Sequence, residues 1–263
     1  MKTSTYTKIL LLLFVFNLTL SSCSGDDSTP EEEPISNPDP NGNIQCTDGK
    51  TFVFLEKNGL LTIEAEKSKF ENTSWKQLQS IGEYTGDGYL VWEGDNFLNK
   101  PGNGVLTYTI KIATPGTYRF IWRSYITIGS NSSEHNDSWL RIPDASHFYG
   151  QKNNGHIVYP KGTNLPPIPE SAGQTSTEPA GGGKDGWFKI YMNKANQWHW
   201  QSSTSDNDGH NIYAIFDTAG DYTIEISGRS KGHGIDKFVL FNENTSQNDA
   251  TTNNTSISEI VCQ

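Results

Sequence analysis

The chain has no long hydrophobic run. Ile9–Leu20 is apolar but too short for a comfortable membrane span. No basic stripe stands out in a chain of formal net charge −10, which argues against nucleic acid as a partner. No amphipathic helix of useful length can be drawn, so helical fold classes fall away. Cysteine is scarce, with only Cys23, Cys46 and Cys262 in 263 residues. Hydrophobic residues make up only 33% of the chain, yet aromatics reach 11% and include seven Trp. Some of those rings belong in a core, and others are available for a surface.

The N-terminus reads as processing signal. Lys2 and Lys8 precede the apolar run, which ends Leu20-Ser21-Ser22-Cys23. That order resembles a bacterial lipobox and implies a signal peptide over 1–22 and lipidation at Cys23. The SGDD that follows resembles the surface-export signal of some Bacteroidetes lipoproteins. Residues 23–43, rich in Pro, Glu, Asp and Ser, read as a flexible spacer. The expectation is an outer-membrane lipoprotein, exposed at the cell surface and touching the membrane only through its lipid.

Residues 44–263 read as one elaborated domain. Cys46 and Cys262 bracket nearly all of it, and in an exported protein such a pair is most simply a disulfide. Closing so long a loop stabilises by about 4–5 kcal/mol in the chain-entropy model. It also places the two ends of the domain side by side.

Between the cysteines lie short strands with turn punctuation, which point to an all-β sandwich. Thr51–Leu55 and Gly59–Glu66 come first. In the second, Leu61, Ile63 and Ala65 alternate with Thr62, Glu64 and Glu66. Period-2 geometry puts both carboxylates on one face, where like charges call for a cation or a base. Gly104–Ile112 alternates cleanly, and Thr117–Tyr125 is expected to continue it as a hairpin through Thr114-Pro115-Gly116. Ser138–Ile142 follows a polar loop. Residues 143–186 read as a long irregular insertion, uncommon unless functional or disordered. Trp187–Met192, Gln197–Ser202, Asn211–Phe216, Tyr222–Gly228 and Ile235–Phe241 complete the series, and the tail from Asn242 to Ser258 reads as loose.

The stretch that organises the chain is GRSKGHGIDKFVLF, Gly228–Phe241. Two glycines flank His233, so that loop is expected to lift the side chain out of the fold. Asp236 opens the last apolar strand, where a buried carboxylate needs a partner. Two polar clusters stand out besides: Glu134-His135-Asn136-Asp137, and Asp206-Asn207-Asp208-Gly209-His210. The second lacks the spacing of an EF-hand and reads as a tight acidic turn.

Taken in order, the early IEAE, GVLTYTIKIATPGTYRFIWR, GDYTIEISGR and closing GIDKFVLF resemble family 6 and family 35 carbohydrate-binding modules. The resemblance covers roughly Leu61–Phe241 with the insertion outside it. It implies a jelly-roll β-sandwich with a structural calcium held by Glu64, Glu66 and Asp236. It also implies a sugar cleft built on an aromatic pair and an Asn before the final strand. Tyr89 or Trp92 stands where the first aromatic is expected, and Trp187, Trp198 or Trp200 where the second is. Gly234 occupies the Asn position with His233 beside it, a departure that puts the family's ligand pose in question.

The leading expectation is a non-catalytic protein that captures polysaccharide or oligosaccharide for degradation or uptake, beside glycan-degrading enzymes or importer components. The alternative is a glycoside hydrolase or polysaccharide lyase on the same scaffold, motivated by His135, Asp137, His199, Asp208 and His210.

Overall fold

Short runs of alternating side chains, punctuated by turns, fold here as strands. In chain order these are β1 (Asn37–Pro38), β2 (Ile44–Gln45), β3 (Phe52–Leu55), β4 (Leu60–Glu64), β5 (Trp75–Leu78), β6 (Tyr89–Trp92), β7 (Leu106–Ile112), β8 (Gly116–Ile126) and β9 (Asp137–Arg141). There follow β10 (His147–Gln151), β11 (Ile157–Val158), β12 (Phe188–Tyr191), β13 (His199–Trp200), β14 (Ser203–Thr204), β15 (His210–Phe216), β16 (Gly220–Ser227), β17 (His233–Phe241) and β18 (Ile260–Cys262). One helical turn, α1 (Gln247–Ala250), precedes β18. The structure, a computed structural model, describes residues 37–38, 44–46, 49–70, 73–169 and 178–263. These fall in one compact unit, Pro34–Gln263. The expected signal peptide, Cys23, most of the spacer and residues 170–177 of the insertion lie outside the described residues.

The strands form an all-β jelly-roll sandwich. A single ladder runs β18-β3-β7-β16-β9-β12-β14-β15-β8-β17-β6-β5, with β4 added beside β17. Every pairing in it is antiparallel except β3 with β7. The ladder curls so that its two halves face each other across one core. Tyr108 and Ile110 of β7, Ile224 and Ile226 of β16 and Leu140 of β9 pack with Phe120 and Trp122 of β8 and Phe238 and Leu240 of β17. Tyr108 meets Phe238 edge-on, 4.9 Å between ring centroids. Edge-to-face contact suits the ring quadrupoles and adds about 0.5–1.5 kcal/mol beyond burial.

The ends of the domain meet as the cysteines require. β18 pairs with β3, and Cys46 is bonded to Cys262. The opening strand β4 pairs with the closing strand β17, Glu64 opposite Lys237.

Four expectations change. Thr117–Tyr125 does not form a hairpin with the strand before it. β7 pairs with β3 and β16, while β8 pairs with β13, β15 and β17. The Thr114-Pro115-Gly116 turn therefore crosses from one half of the sandwich to the other, so that both strands bury an apolar face in the same core. The insertion is not irregular throughout: β10 lies within it and pairs along its length with β15. The insertion's Ala145, Phe148 and Val158 reach the main core, Phe148 against Phe188. The tail after Asn242 is tied down. Ala250 is buried, Lys237 Nζ donates to the Asn253 carbonyl at 3.1 Å, and Thr62 N donates to Ser258 Oγ at 3.0 Å. Finally, β4 ends at Glu64, and Glu66 sits on a following 3-10 turn, Ala65–Lys67, rather than on the strand.

Candidate functional site

The three predicted metal ligands each hydrogen-bond to the Thr85–Asp87 turn, without forming a set of ligand atoms within 4.8 Å of one another. Thr85 Oγ1 donates to Glu64 Oε2 at 2.9 Å and to Asp236 Oδ2 at 3.2 Å, while Thr85 N donates to Asp236 Oδ1 at 2.8 Å. Asp87 N donates to Glu66 Oε1 at 3.0 Å. Gly86, at φ +63°, has no room for a side chain: a Cβ would lie 2.5 Å from Glu66 Oε1. Asp236 stands at a shift of register between β17 and β8, which aims its carboxylate into the niche. It already has a cation, since Arg123 pairs with it at 2.8 Å and both are buried.

The two glutamates are less well served. Glu66 Oε2 is buried with no hydrogen-bond partner. Burial pushes Glu64 up to about 7 and Glu66 up to about 8, with the neighbouring Asp236 and Glu64 charges adding to the respective shifts. Asp236 is raised as well, by burial. Uncompensated, clustered carboxylate oxygens are the donors a hard cation such as calcium takes. Glu64 and Glu66 are oxygen donors of that kind, but the three carboxylates are not a set of ligand atoms within 4.8 Å of one another, and Asp236 is already compensated by Arg123.

The predicted sugar-binding residues fare differently. Tyr89, Trp92, Trp187 and His233 are buried, so none of the four offers an open face to a sugar. Trp92 fills a slot cleared by glycines: a Cβ at Gly94, Gly104 or Gly228 would come within 2.5 Å of its indole. Trp187 lies beneath the Arg141 guanidinium, 4.6 Å from its ring centre. His233 is not lifted out of the fold. It is the first residue of β17, its Nδ1 2.8 Å from Ser138 Oγ, and burial brings its pKa down to about 4. Gly232 takes the turn at φ +85°, and the strand begins directly after it. Trp200 alone of the five is half-buried, packed with Ile121, Val239 and Phe241 on the face of β8 and β17 away from the main core.

A cleft of about 740 Å³ opens elsewhere, between loops that the sequence marks as polar. The 129–137 loop contributes Ser133, Glu134 and His135 to one wall. Asp206 and Asn207 line another, with Asn96 and Leu98 at the rim and Asn193 beside Tyr191. The two polar clusters of the sequence, 134–137 and 206–207, thus share one cavity.

Its floor is wired by ion pairs. Asp137, the first residue of β9, takes hydrogen bonds from Arg229 and from the Ser230 hydroxyl. Arg229 also stacks 5.0 Å from the Trp139 ring centre. Lys189 pairs with Asp206 and lies 5.4 Å from the Tyr191 ring centre. Asn136 Nδ2 ties the loop down, donating to the Met192 carbonyl at 2.6 Å. The result is a polar floor held by ion pairs, under walls carrying amide, hydroxyl and carboxylate groups, some of them, such as Ser133 Oγ and Asn96 Oδ1, already hydrogen-bonded within the chain. Lys189, Tyr191, Asn96, Asn193 and Arg229 were not readable as one site from sequence, because five separate segments supply the lining. The only local signal was the density of polar residues at 134–137 and 206–210.

No family model matches this chain, and no curated protein matches it. Solved structures do overlap it. The Podospora anserina GH26-CBM35 beta-(1,4)-mannanase is 16% identical over 70% of this chain, which spans 28% of that one, at a TM-score of 0.38. The family 35 module of Cellvibrio japonicus Abf62 is 12% identical over 70% of this chain and 93% of its own, at a TM-score of 0.37. The C-terminal family 6 module of a Zobellia galactanivorans laminarinase is 14% identical over 70% of this chain and 99% of its own, at a TM-score of 0.34. At these TM-scores the overlap is loose, and the functional reading rests on the chain's own residues.

Proposed function

We propose that the chain is a non-catalytic glycan-binding protein and that the cleft over the Asp137–Arg229 floor is its binding site. The observation that carries this is the lining: planar amides (Asn96, Asn193, Asn207), hydroxyls (Ser132, Ser133) and a tyrosine around a floor whose charges are already paired. Sugars are bound by fixed polar groups that match hydroxyl positions together with an apolar or aromatic surface. Paired ions keep their geometry and hold the remaining donors and acceptors in place.

Calcium belongs to the same reading. Glu64 and Glu66, with Asp236 as a shared third group, would hold it, and its charge would compensate the buried carboxylates where β4 meets β17. With a leader over 1–22 and lipid on Cys23, the protein would be a lipoprotein of the outer membrane that holds polysaccharide at the cell surface, near enzymes or importers that use it.

Affinity electrophoresis and titration calorimetry against a panel of neutral and acidic polysaccharides test the proposal. Binding that is weakened in Asn207→Ala and Tyr191→Ala supports it. Absence of binding by the folded protein across the panel rejects it, and release of new reducing ends or unsaturated products replaces it with an enzymatic reading.

A further inference from the structure

Among the described residues, one trio of His, Asp, Glu or Cys side chains has ligand atoms that all lie within 4.8 Å of one another: His156, Asp208 and His210. The fold brings them together through β10 and β15. His210 opens β15 and is fully buried, while His156 stands exposed just before β11 on the turn that follows β10. β10 and β15 pair from Gln151↔Asn211 onward, so the turn of one closes over the start of the other. Gly150 makes room, since a Cβ there would lie 3.1 Å from His210 Cβ and 2.9 Å from Thr204 Cγ2.

The imidazoles are set up as a ligand pair. His210 Nδ1 faces the Asp208 carbonyl. Donating a proton there leaves the lone pair on Nε2, the tautomer that a metal-binding histidine needs. That Nε2 lies 2.8 Å from His156 Nδ1. Two imidazole nitrogens this close share a proton or share a metal ion. Asp208 adds a carboxylate, its Oδ2 4.0 Å from His210 Nδ1 and its other oxygen paired with Lys152.

We propose that His156, Asp208 and His210 form a binding site for a borderline divalent transition ion, with zinc as the probe. Two imidazole nitrogens and one carboxylate oxygen, with water as a fourth ligand, are a donor set of zinc-like ions, whereas calcium takes oxygen. Tetrahedral metal–nitrogen bonds of about 2.0–2.1 Å ask the two nitrogens to open from 2.8 Å by about half an ångström, which the exposed turn carrying His156 can supply. The ion would clamp the 205–209 loop, whose Asp206 and Asn207 line the cleft.

The test is calorimetric titration of chelator-treated, desalted full-length protein with zinc chloride in the presence of excess calcium. The expected result is one equivalent bound, weakened at least tenfold in His156→Ala and unchanged in Glu66→Gln. His156→Ala is the informative variant because its side chain is exposed and its loss leaves the core intact. Cobalt(II) gives a second readout, with visible absorption of a tetrahedral ion that disappears in the same variant. No stoichiometric zinc, or zinc bound equally well by His156→Ala, overturns the site. Loss of zinc in Glu66→Gln alone places the ion in the carboxylate niche and overturns it equally.

Discussion

Asp137 and Glu66 are both buried acids, and the chain treats them in opposite ways. Asp137 receives a guanidinium from Arg229 and a hydroxyl from Ser230. Glu66 receives one backbone N–H, and its other oxygen has none. The cleft floor is closed by groups the chain itself supplies, while the β4–β17 niche is left short of positive charge. Arg123 occupies Asp236, and Lys237 turns part of its capacity to the Asn253 carbonyl. A buried charge without a partner is held only at a cost, so the first region is self-sufficient and the second is where the proposed cation would have most to compensate.

The largest effect comes from breaking one ion pair in each region. Arg229→Ala strands Asp137 and should cost about 3–5 kcal/mol in urea unfolding. Arg123→Ala strands Asp236 and should cost a similar amount without calcium. The two separate on adding calcium: the ion can take the place of the Arg123 charge and restores much of the loss, while Arg229→Ala gains no more than the wild type. Equal responses to calcium would erase the distinction between the regions.

Next in size is the calcium response of the wild-type chain. Calcium at a hundredfold excess over its Kd adds about 2.7 kcal/mol to unfolding free energy. Glu66→Gln removes the unpaired carboxylate and should abolish that gain while changing the calcium-free stability by little. Thermal unfolding with calcium and with chelator, on both proteins, measures it.

The pH dependence of the calcium-free protein follows from the same two glutamates. Glu64 titrates near 7 and Glu66 near 8 in the fold, against an ordinary 4.5. The folded chain therefore binds protons more tightly than the unfolded one. That contribution is full below about 4.5 and is lost as pH rises through 7 and 8. Calcium should flatten the upper part of the curve and bind more tightly there, because it competes with protons for the same oxygens. His233 works the other way: with its folded pKa brought down to about 4 from 6.5, its contribution is present above 6.5 and is lost as pH falls toward 4. A calcium-free stability that rises steadily from pH 5 to 9 would contradict the assignment of the niche.

The strand pattern and the cysteine pairing were legible in the sequence, and so was the approach of Glu64, Glu66 and Asp236 to one turn, though not as a close-set ligand group, since each depends on local alternation or on which strands open and close the chain. The aromatic assignments were not. A tryptophan beside turn residues reads as exposed, but the glycines around Trp92 are there to clear space for the ring. The same glycine logic misled at His233, where Gly232 turns the backbone and β17 then carries the imidazole inward. The cleft was visible only as two unconnected polar clusters, because β9, β12 and the loops before β15 and β17 meet there only after folding. His156 carried no signal at all: its partners lie more than fifty residues on, joined to it by the β10–β15 pairing.

The smallest expected effect decides which surface holds the ligand. Tyr191→Ala removes a ring from the cleft and should weaken glycan binding about tenfold, in line with the 1–2 kcal/mol typical of one aromatic contact. Tyr191→Phe should change little, since the phenol oxygen already donates to the Ser205 carbonyl at 3.2 Å. Trp200→Ala is the counter-test. Trp200 is the one half-buried ring among the five residues singled out from sequence, and it stands beside Lys237 at 5.9 Å rather than in the cleft. If Trp200→Ala leaves affinity untouched while Tyr191→Ala lowers it, the self-sufficient region binds sugar and the cation-dependent region serves the fold. The reverse result would move the ligand to the β8–β17 face, where a bound calcium would then lie beside it.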